Sequence, residues 1–170
     1  MGAELIIRPL AAEDDRASFT CGQADLDRFF HHYAGHNQFK LRVSVTYVAV
    51  VGERILGFAT VTPATIERER IPARKKLPAY PLPVLRLARL AVDLDARDAG
   101  IGSALLAFVL GLAKRQRDQL GGLGVVTDAK PEAVAFYEKY GFARLSDDAI
   151  VEGAITADPV AMFLSIDSIP

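Results

Sequence analysis

Only one cysteine, Cys21, stands among the 170 residues. It cannot close an internal disulfide, which excludes a disulfide-stapled scaffold and suits a reducing cytosol, so the expected localisation is cytoplasmic. Charge of either sign is not in excess: 20 Lys and Arg against 21 Asp and Glu leave a net charge of −1. No global field draws the chain to nucleic acid or membrane, and any such binding must rest on a local patch. Long apolar runs are missing as well. The longest uncharged stretch, Ala99 to Ala113, includes Ser103 and three glycines and falls short of the ~18 residues of a membrane span. Met1-Gly-Ala-Glu4 shows no basic region followed by an apolar run, so no secretory leader is expected. No internal repeat and no low-complexity linker is present. With 51% apolar and 24% charged residues, the expectation is one globular domain spanning residues 1–170, with a sizeable core.

The patterning is mixed α/β. Glu4 to Leu10 is a β-branched run ended by proline, read as a first strand. Phe19 to Phe30 leads into a helix whose Leu26, Phe29 and Phe30 share one face, and the helical pattern continues through His31 to Lys40. Val43 to Val51, a turn at Gly52-Glu-Arg54, and Ile55 to Ala64 read as a hairpin. Residues 65–82 read as a surface loop with one helical turn, because Pro72, Pro78, Pro81 and Pro83 oppose a helix or central strand. Val84 to Asp93 is the next strand. A helix over Gly102 to Arg115 buries Leu105, Val109, Leu112 and Ala113. A strand follows over 123–127, then a helix from Pro131 to Tyr140 closed by Gly141, and a last strand from Val160 to Ile166. Strand–helix alternation through 84–140 implies two neighbouring parallel strands.

The organising stretch is Leu87 to Leu106, an apolar strand, a polar turn with Gly100 and Gly102, and then a helix. Glycines let the backbone approach a ligand closely, and the helix start offers unpaired N–H groups and a positive dipole end. Such a turn is a natural seat for a pyrophosphate. It is not the triphosphate loop G-x-x-x-x-G-K-S/T, since no lysine follows Gly102. Nor is it the dinucleotide fingerprint G-x-G-x-x-G, whose third glycine is Leu105 here. The spacing present is R-x-x-G-x-G, at Arg97, Gly100 and Gly102.

That spacing resembles the coenzyme A signature of the GNAT superfamily of N-acyltransferases. Arg89-Leu-Ala-Val-Asp93 resembles the family's fourth strand. Ala133 with Ala135-Phe-Tyr-Glu-Lys-Tyr-Gly-Phe142 resembles its second signature, A-x-x-F-Y-x-x-x-G-F. The resemblance implies a GNAT fold: a mixed central sheet of six to seven strands, flanking helices, and a splay between strands 4 and 5. It implies acetyl-CoA as acetyl donor, with the main chain of Leu90, Ala91 and Val92 receiving the pantetheine arm and thioester oxygen. The pyrophosphate then sits over Arg97, Asp98, Ala99, Gly100, Ile101, Gly102 and Ser103, and Arg97 adds a charged fork. Tyr137 matches the tyrosine near the coenzyme sulfur, a general acid whose pKa, ordinarily ~10, suits a departing thiolate. Its other reading is an aromatic packing residue. No general base is named; Asp93, Glu67 and Glu69 read as solvated carboxylates.

A narrower resemblance rests on Phe19-x-Cys21-Gly22-x-x-x-Leu26-Asp27-x-Phe29, on Ala34-x-x-Asn37-Gln38, and on the 89–93 strand. Together they resemble the GNAT toxins of bacterial toxin–antitoxin modules. That resemblance implies acetylation of the α-amine of aminoacyl-tRNA and a ribbon–helix–helix antitoxin as partner; a homodimer is left open. Glu67 to Lys76 carries five basic residues against two acids. Lys40, Arg42, Arg74, Lys75, Lys76 and Arg89 are candidates to follow a tRNA backbone, with Arg86 beside them; an ordinary solvated loop is the other reading. Cys21 reads as a buried small residue, since direct attack by an amine needs no covalent intermediate. His32 and His36 have the i, i+4 spacing of a metal pair, but no third ligand is evident and no metal is expected. Two other functions stay open: a GNAT enzyme for a small-molecule or peptide amine, and a coenzyme-binding module without catalysis.

Overall fold

β-Branched and aromatic residues fill the strands, and helices begin where polar turns release the backbone. The computed structural model describes residues 4–71, 76–145 and 159–169. In chain order the strands are β1 (Leu5–Pro9), β2 (Val45–Val51), β3 (Arg54–Ile66), β4 (Leu82–Val92), β5 (Gly124–Ala129), β6 (Ala143–Arg144) and β7 (Val160–Ser165). The helices are α1 (Ala24–His32), α2 (Ala34–Phe39), α3 (Ile101–Gln119) and α4 (Val134–Lys139). Among the described residues, seven strands form one sheet in the order β1-β2-β3-β4-β5-β7-β6. It is mixed, with β4 and β5 parallel as the strand–helix alternation requires. No helix among the described residues is long and apolar enough to cross a membrane.

The chain divides into two compact units. The first comprises Met1–Thr62 and Leu87–Gly111, the second Pro63–Arg86 and Leu112–Pro170. In the first, β2 and β3 form the expected hairpin around Gly52, whose φ of +62° a Cβ would oppose. Its core gathers Phe19, Phe29, Phe30, Val48, Val50, Ile55, Phe58 and Ala91. Phe30 stacks on Phe58 with centroids 4.5 Å apart, and Phe19 meets both rings edge-on. α1 and α2 are separated by Tyr33 at φ −119°, yet Tyr33 N–H to Phe29 and Asn37 N–H to Tyr33 carry the helical bonding across. Leu26, Phe30, Ala34 and Gln38 form the buried row. Gln38 is tolerated there because it donates to the Leu10 carbonyl at 3.0 Å and accepts from Thr46 N–H at 2.9 Å.

In the second unit, Ile66, Leu82, Val84, Leu145 and Phe163 form the core. β7 pairs antiparallel with β5 on one side and with β6 on the other. Gly124 is obligatory: a Cβ there would collide with the Leu164 carbonyl.

Three expectations are corrected. The proline-rich stretch 65–82 is not wholly loop: β3 runs on to Ile66 and β4 begins at Leu82, around a helical turn at Arg68–Arg70. Pro63 lies past Val61, where pairing with β2 stops, and Pro83 is the second residue of its strand; both are places where a missing N–H is tolerated. α3 buries Leu106 fully while Leu112 is only half-buried. β6, two residues long, adds a strand that the sequence pattern does not mark.

Candidate functional site

β4 delivers the chain to Asp93, where the glycine turn begins. The sequence suggests a solvated carboxylate here, but Asp93 is 2% exposed. Its carboxylate accepts the N–H groups of Thr20 at 3.1 Å and Asp95 at 2.9 Å. Arg54 lies 3.4 Å from the same carboxylate and 2.8 Å from Asp95. A carboxylate so enclosed caps the short helical turn Leu94–Ala96 and is not available as a base.

Beyond that turn, Arg97, Asp98, Ala99 and Gly100 are exposed. Asp98 and Gly100 are left-handed at φ +63° and +78°. The Gly100 carbonyl accepts from Ala104 N–H at 3.0 Å, which starts α3. Ile101 is buried, and Gly102 and Ser103 are half-buried. Nothing lies within 4 Å of where a Gly100 Cβ would stand. An exposed, open turn at the head of a 19-residue helix has the shape and the positive pole that a diphosphate requires. Arg97 reaches back to the Cys21 carbonyl at 3.4 Å. This long, part-buried contact leaves the guanidinium able to turn toward a phosphate. Of the residues ahead of the turn, Ala91 belongs to the core, while Leu90 and Val92 are half-buried.

Tyr137 belongs to the second unit, on α4. It is 5% exposed, with Phe136 and Phe142 edge-on to its ring at 5.2 and 5.3 Å. Burial pushes its phenol up to about 12, against the opposing pull of a hydrogen bond with the Thr127 side chain. A phenol held this way keeps its proton at neutral pH. The ring is therefore packed, as the plainer reading had it, and also protonated, as an acid must be.

The basic candidates scatter. Lys40, Arg42 and Lys76 are exposed. Arg89 is exposed too, with its guanidinium 3.8 Å over the Phe29 ring. Arg74 and Lys75 lie outside the described residues. Arg86 is paired with Asp128, and Arg68 donates to the Leu77 carbonyl at 3.1 Å, so these cations are partly committed within the fold. Sequence reasoning missed Arg28. Two positions out of phase with the buried row 26, 30, 34 and 38 runs an exposed row of Arg28, His32, His36 and Lys40. Its i, i+4 period was legible in the sequence, because the helical pattern read there already runs across Tyr33 to Lys40.

Cys21 is 3% exposed, and burial pushes its thiol up to about 11, which makes it inert as a nucleophile. His31 shares a 2.7 Å hydrogen bond with the Phe19 carbonyl. Among the described residues, no three ligating side chains come together.

A family model described as an acetyltransferase (GNAT) domain matches residues 42–144. A tRNA-acetylating toxin of Mycobacterium tuberculosis is 30% identical over 138 residues, covering 79% of this chain and 82% of the relative. A crystal structure of a tyrosine-to-phenylalanine mutant of KacT is 27% identical, covering 97% of this chain and 96% of that one, with a TM-score of 0.83. A crystal structure of AtaTR bound with acetyl-CoA is 26% identical, covering 97% and 95%, with a TM-score of 0.81.

Proposed function

This chain belongs to the GNAT acetyltransferases, and from that premise we propose that it is a toxin transferring acetyl from acetyl-CoA to the α-amine of aminoacyl-tRNA. The reading takes residues 1–170 as one acetyltransferase domain. Bound acetyl-CoA supplies an activated thioester. The diphosphate is held by the opening N–H groups of α3, the exposed turn at Gly100, and Arg97. Main-chain groups of Leu90, Ala91 and Val92 hold the thioester end, where a donor aimed at a developing oxyanion is worth roughly 3 kcal/mol. The amine nitrogen bonds to the acetyl carbon as the carbon–sulfur bond breaks. Tyr137 gives its proton to the leaving sulfur and recovers one from the solvent-connected amine. An α-amine with pKa ~7.7–8 is partly neutral at cell pH, so no protein base is required. The enclosure of Asp93 supports that economy.

The substrate assignment is carried by the 30% identity to a tRNA-acetylating toxin across 79% of the chain. The exposed row Arg28, His32, His36 and Lys40, with Arg42 beyond it, supports it physically: the cations Arg28, Lys40 and Arg42 can meet phosphates, and the two imidazoles between them can hydrogen-bond the backbone. A ribbon–helix–helix antitoxin and self-association into a homodimer complete the proposal.

The deciding assay follows labelled acetyl from acetyl-CoA to charged tRNA, alongside polyamines and peptides. Acetylation of the charged tRNA alone is expected. Labelling of small amines with none on tRNA would move the protein to the small-amine branch, and binding without transfer would make it a non-catalytic module. In the same assay Tyr137→Phe is expected to lower turnover by roughly 100-fold, with acetyl-CoA affinity nearly unchanged. Undiminished turnover would remove Tyr137 from the mechanism.

A further inference from the structure

We propose that Gly57, on β3, is a positioning residue for the coenzyme loop. Lacking a side chain, it lets the first turn of α3 settle onto the strand at the height the diphosphate needs. The inference rests on the diphosphate reading of residues 97–103.

A Cβ at Gly57 would stand 2.8 Å from Ile101 Cγ2, 2.9 Å from Leu105 Cδ1 and 3.0 Å from the Ala91 carbonyl oxygen. The three neighbours bar different escapes. Ala91 is backbone of the adjacent strand. Leu105 is fully buried and Ile101 is 5% exposed, so neither side chain can swing into solvent. Ile101 is also β-branched, which ties its Cγ2 to the helix backbone through one favoured rotamer. A tightly packed interior relieves such a clash by moving the element. The element that moves is the opening turn of α3, whose N–H groups face the proposed ligand.

The residue before it makes the seat continuous. The Leu56 carbonyl accepts the Asp93 N–H at 2.8 Å. Leu56 and Gly57 therefore hold the loop at both ends, its entry through Asp93 and its exit through Ile101. All these residues lie in the first unit.

The test is a donor split. Gly57→Ala is compared with wild type using acetyl-CoA and using S-acetylpantetheine, which lacks the diphosphate. The expected result is a roughly tenfold rise in KM for acetyl-CoA, little change in kcat at saturation, and a clearly smaller loss of kcat/KM for the short donor, whose pantetheine arm still meets the Ala91 main chain. Gly111→Ala, on the same helix with nothing within 4 Å of its Cβ position, serves as the control and is expected to behave as wild type. Equal losses with both donors, or no loss with either, overturns the inference. If Gly57→Ala does not fold, Leu105→Val loosens the same turn by removing the Cδ1 that rests on Gly57 and must give the same donor split; equal loss or none again overturns it. A wild-type protein with no preference for acetyl-CoA over the short donor defeats the diphosphate reading itself, and the inference with it. A wild-type preference that the variants leave intact defeats the inference alone.

Discussion

Asp93 shows how much a single carboxylate can organise. Its two backbone N–H bonds come from Thr20, 73 positions earlier, and from Asp95, two positions later. Removing the acceptor strands two part-buried N–H donors, so Asp93→Ala is expected to cost about 2 kcal/mol, read as a lower midpoint in urea unfolding. The ion pair to Arg54 is the smaller effect. Arg54 is 56% exposed, and solvent screens such a pair, so Arg54→Ala should scarcely move the midpoint. An Arg54 variant as unstable as the Asp93 variant would show that the ion pair, and not the N–H bonds, dominates. The sequence marked Asp93 as a carboxylate beside the turn but misjudged its exposure. The partner that buries it is brought in by the fold, and no local pattern announces it. Tyr137 is the converse case. Its neighbours identified the position, but the rise of its phenol comes from burial against Phe136, Phe142 and β5, which local sequence does not report.

At the scale of elements, α1 and α2 divide two labours between opposite faces. Leu26, Phe30, Ala34 and Gln38 are buried; Arg28, His32, His36 and Lys40 are exposed. With a rise of ~1.5 Å per residue, a four-residue step places successive side chains of this row about 6 Å apart. Taking away one cation that touches a phosphate makes the dependence of log affinity on log salt shallower by about 0.7–0.9. Arg28→Ala with Lys40→Ala is therefore expected to reduce that slope by roughly 1.5, measured by fluorescence anisotropy of labelled tRNA across a KCl series. An unchanged slope would take this face out of RNA binding. The apolar face of these helices was readable from period alone. The short strand β6 was not, because two residues carry no period.

At the scale of the whole molecule, two buried acids with raised pKa values among the described residues point to alkaline weakness, one in each unit: Cys21 rises from 9.0 to about 11 and Tyr137 from 10.0 to about 12. Below the unfolded values both groups are neutral in folded and unfolded chains, and they contribute no pH dependence. Between about pH 9 and 12 the unfolded chain releases these protons while the folded chain retains them. Stability therefore falls as pH rises through that window. Thermal melts from pH 8 to 11 should show the decline, and Cys21→Ala with Tyr137→Phe should flatten it relative to wild type. Parallel curves for the two proteins would assign the decline to other groups.

Sequence by itself determined the order of strands and helices, the glycine turn and the two signatures around it, because these depend on period, on missing Cβ atoms and on spacing along one chain. Tertiary structure decided which charges are enclosed, as with Asp93, which are paired at the surface, as with Arg86 and Asp128, and which stay exposed, as with Arg28. It also decided that Gly57 lies beneath α3. Burial and close approach join residues distant in the chain, and free energy depends on that meeting, which no stretch of sequence contains alone.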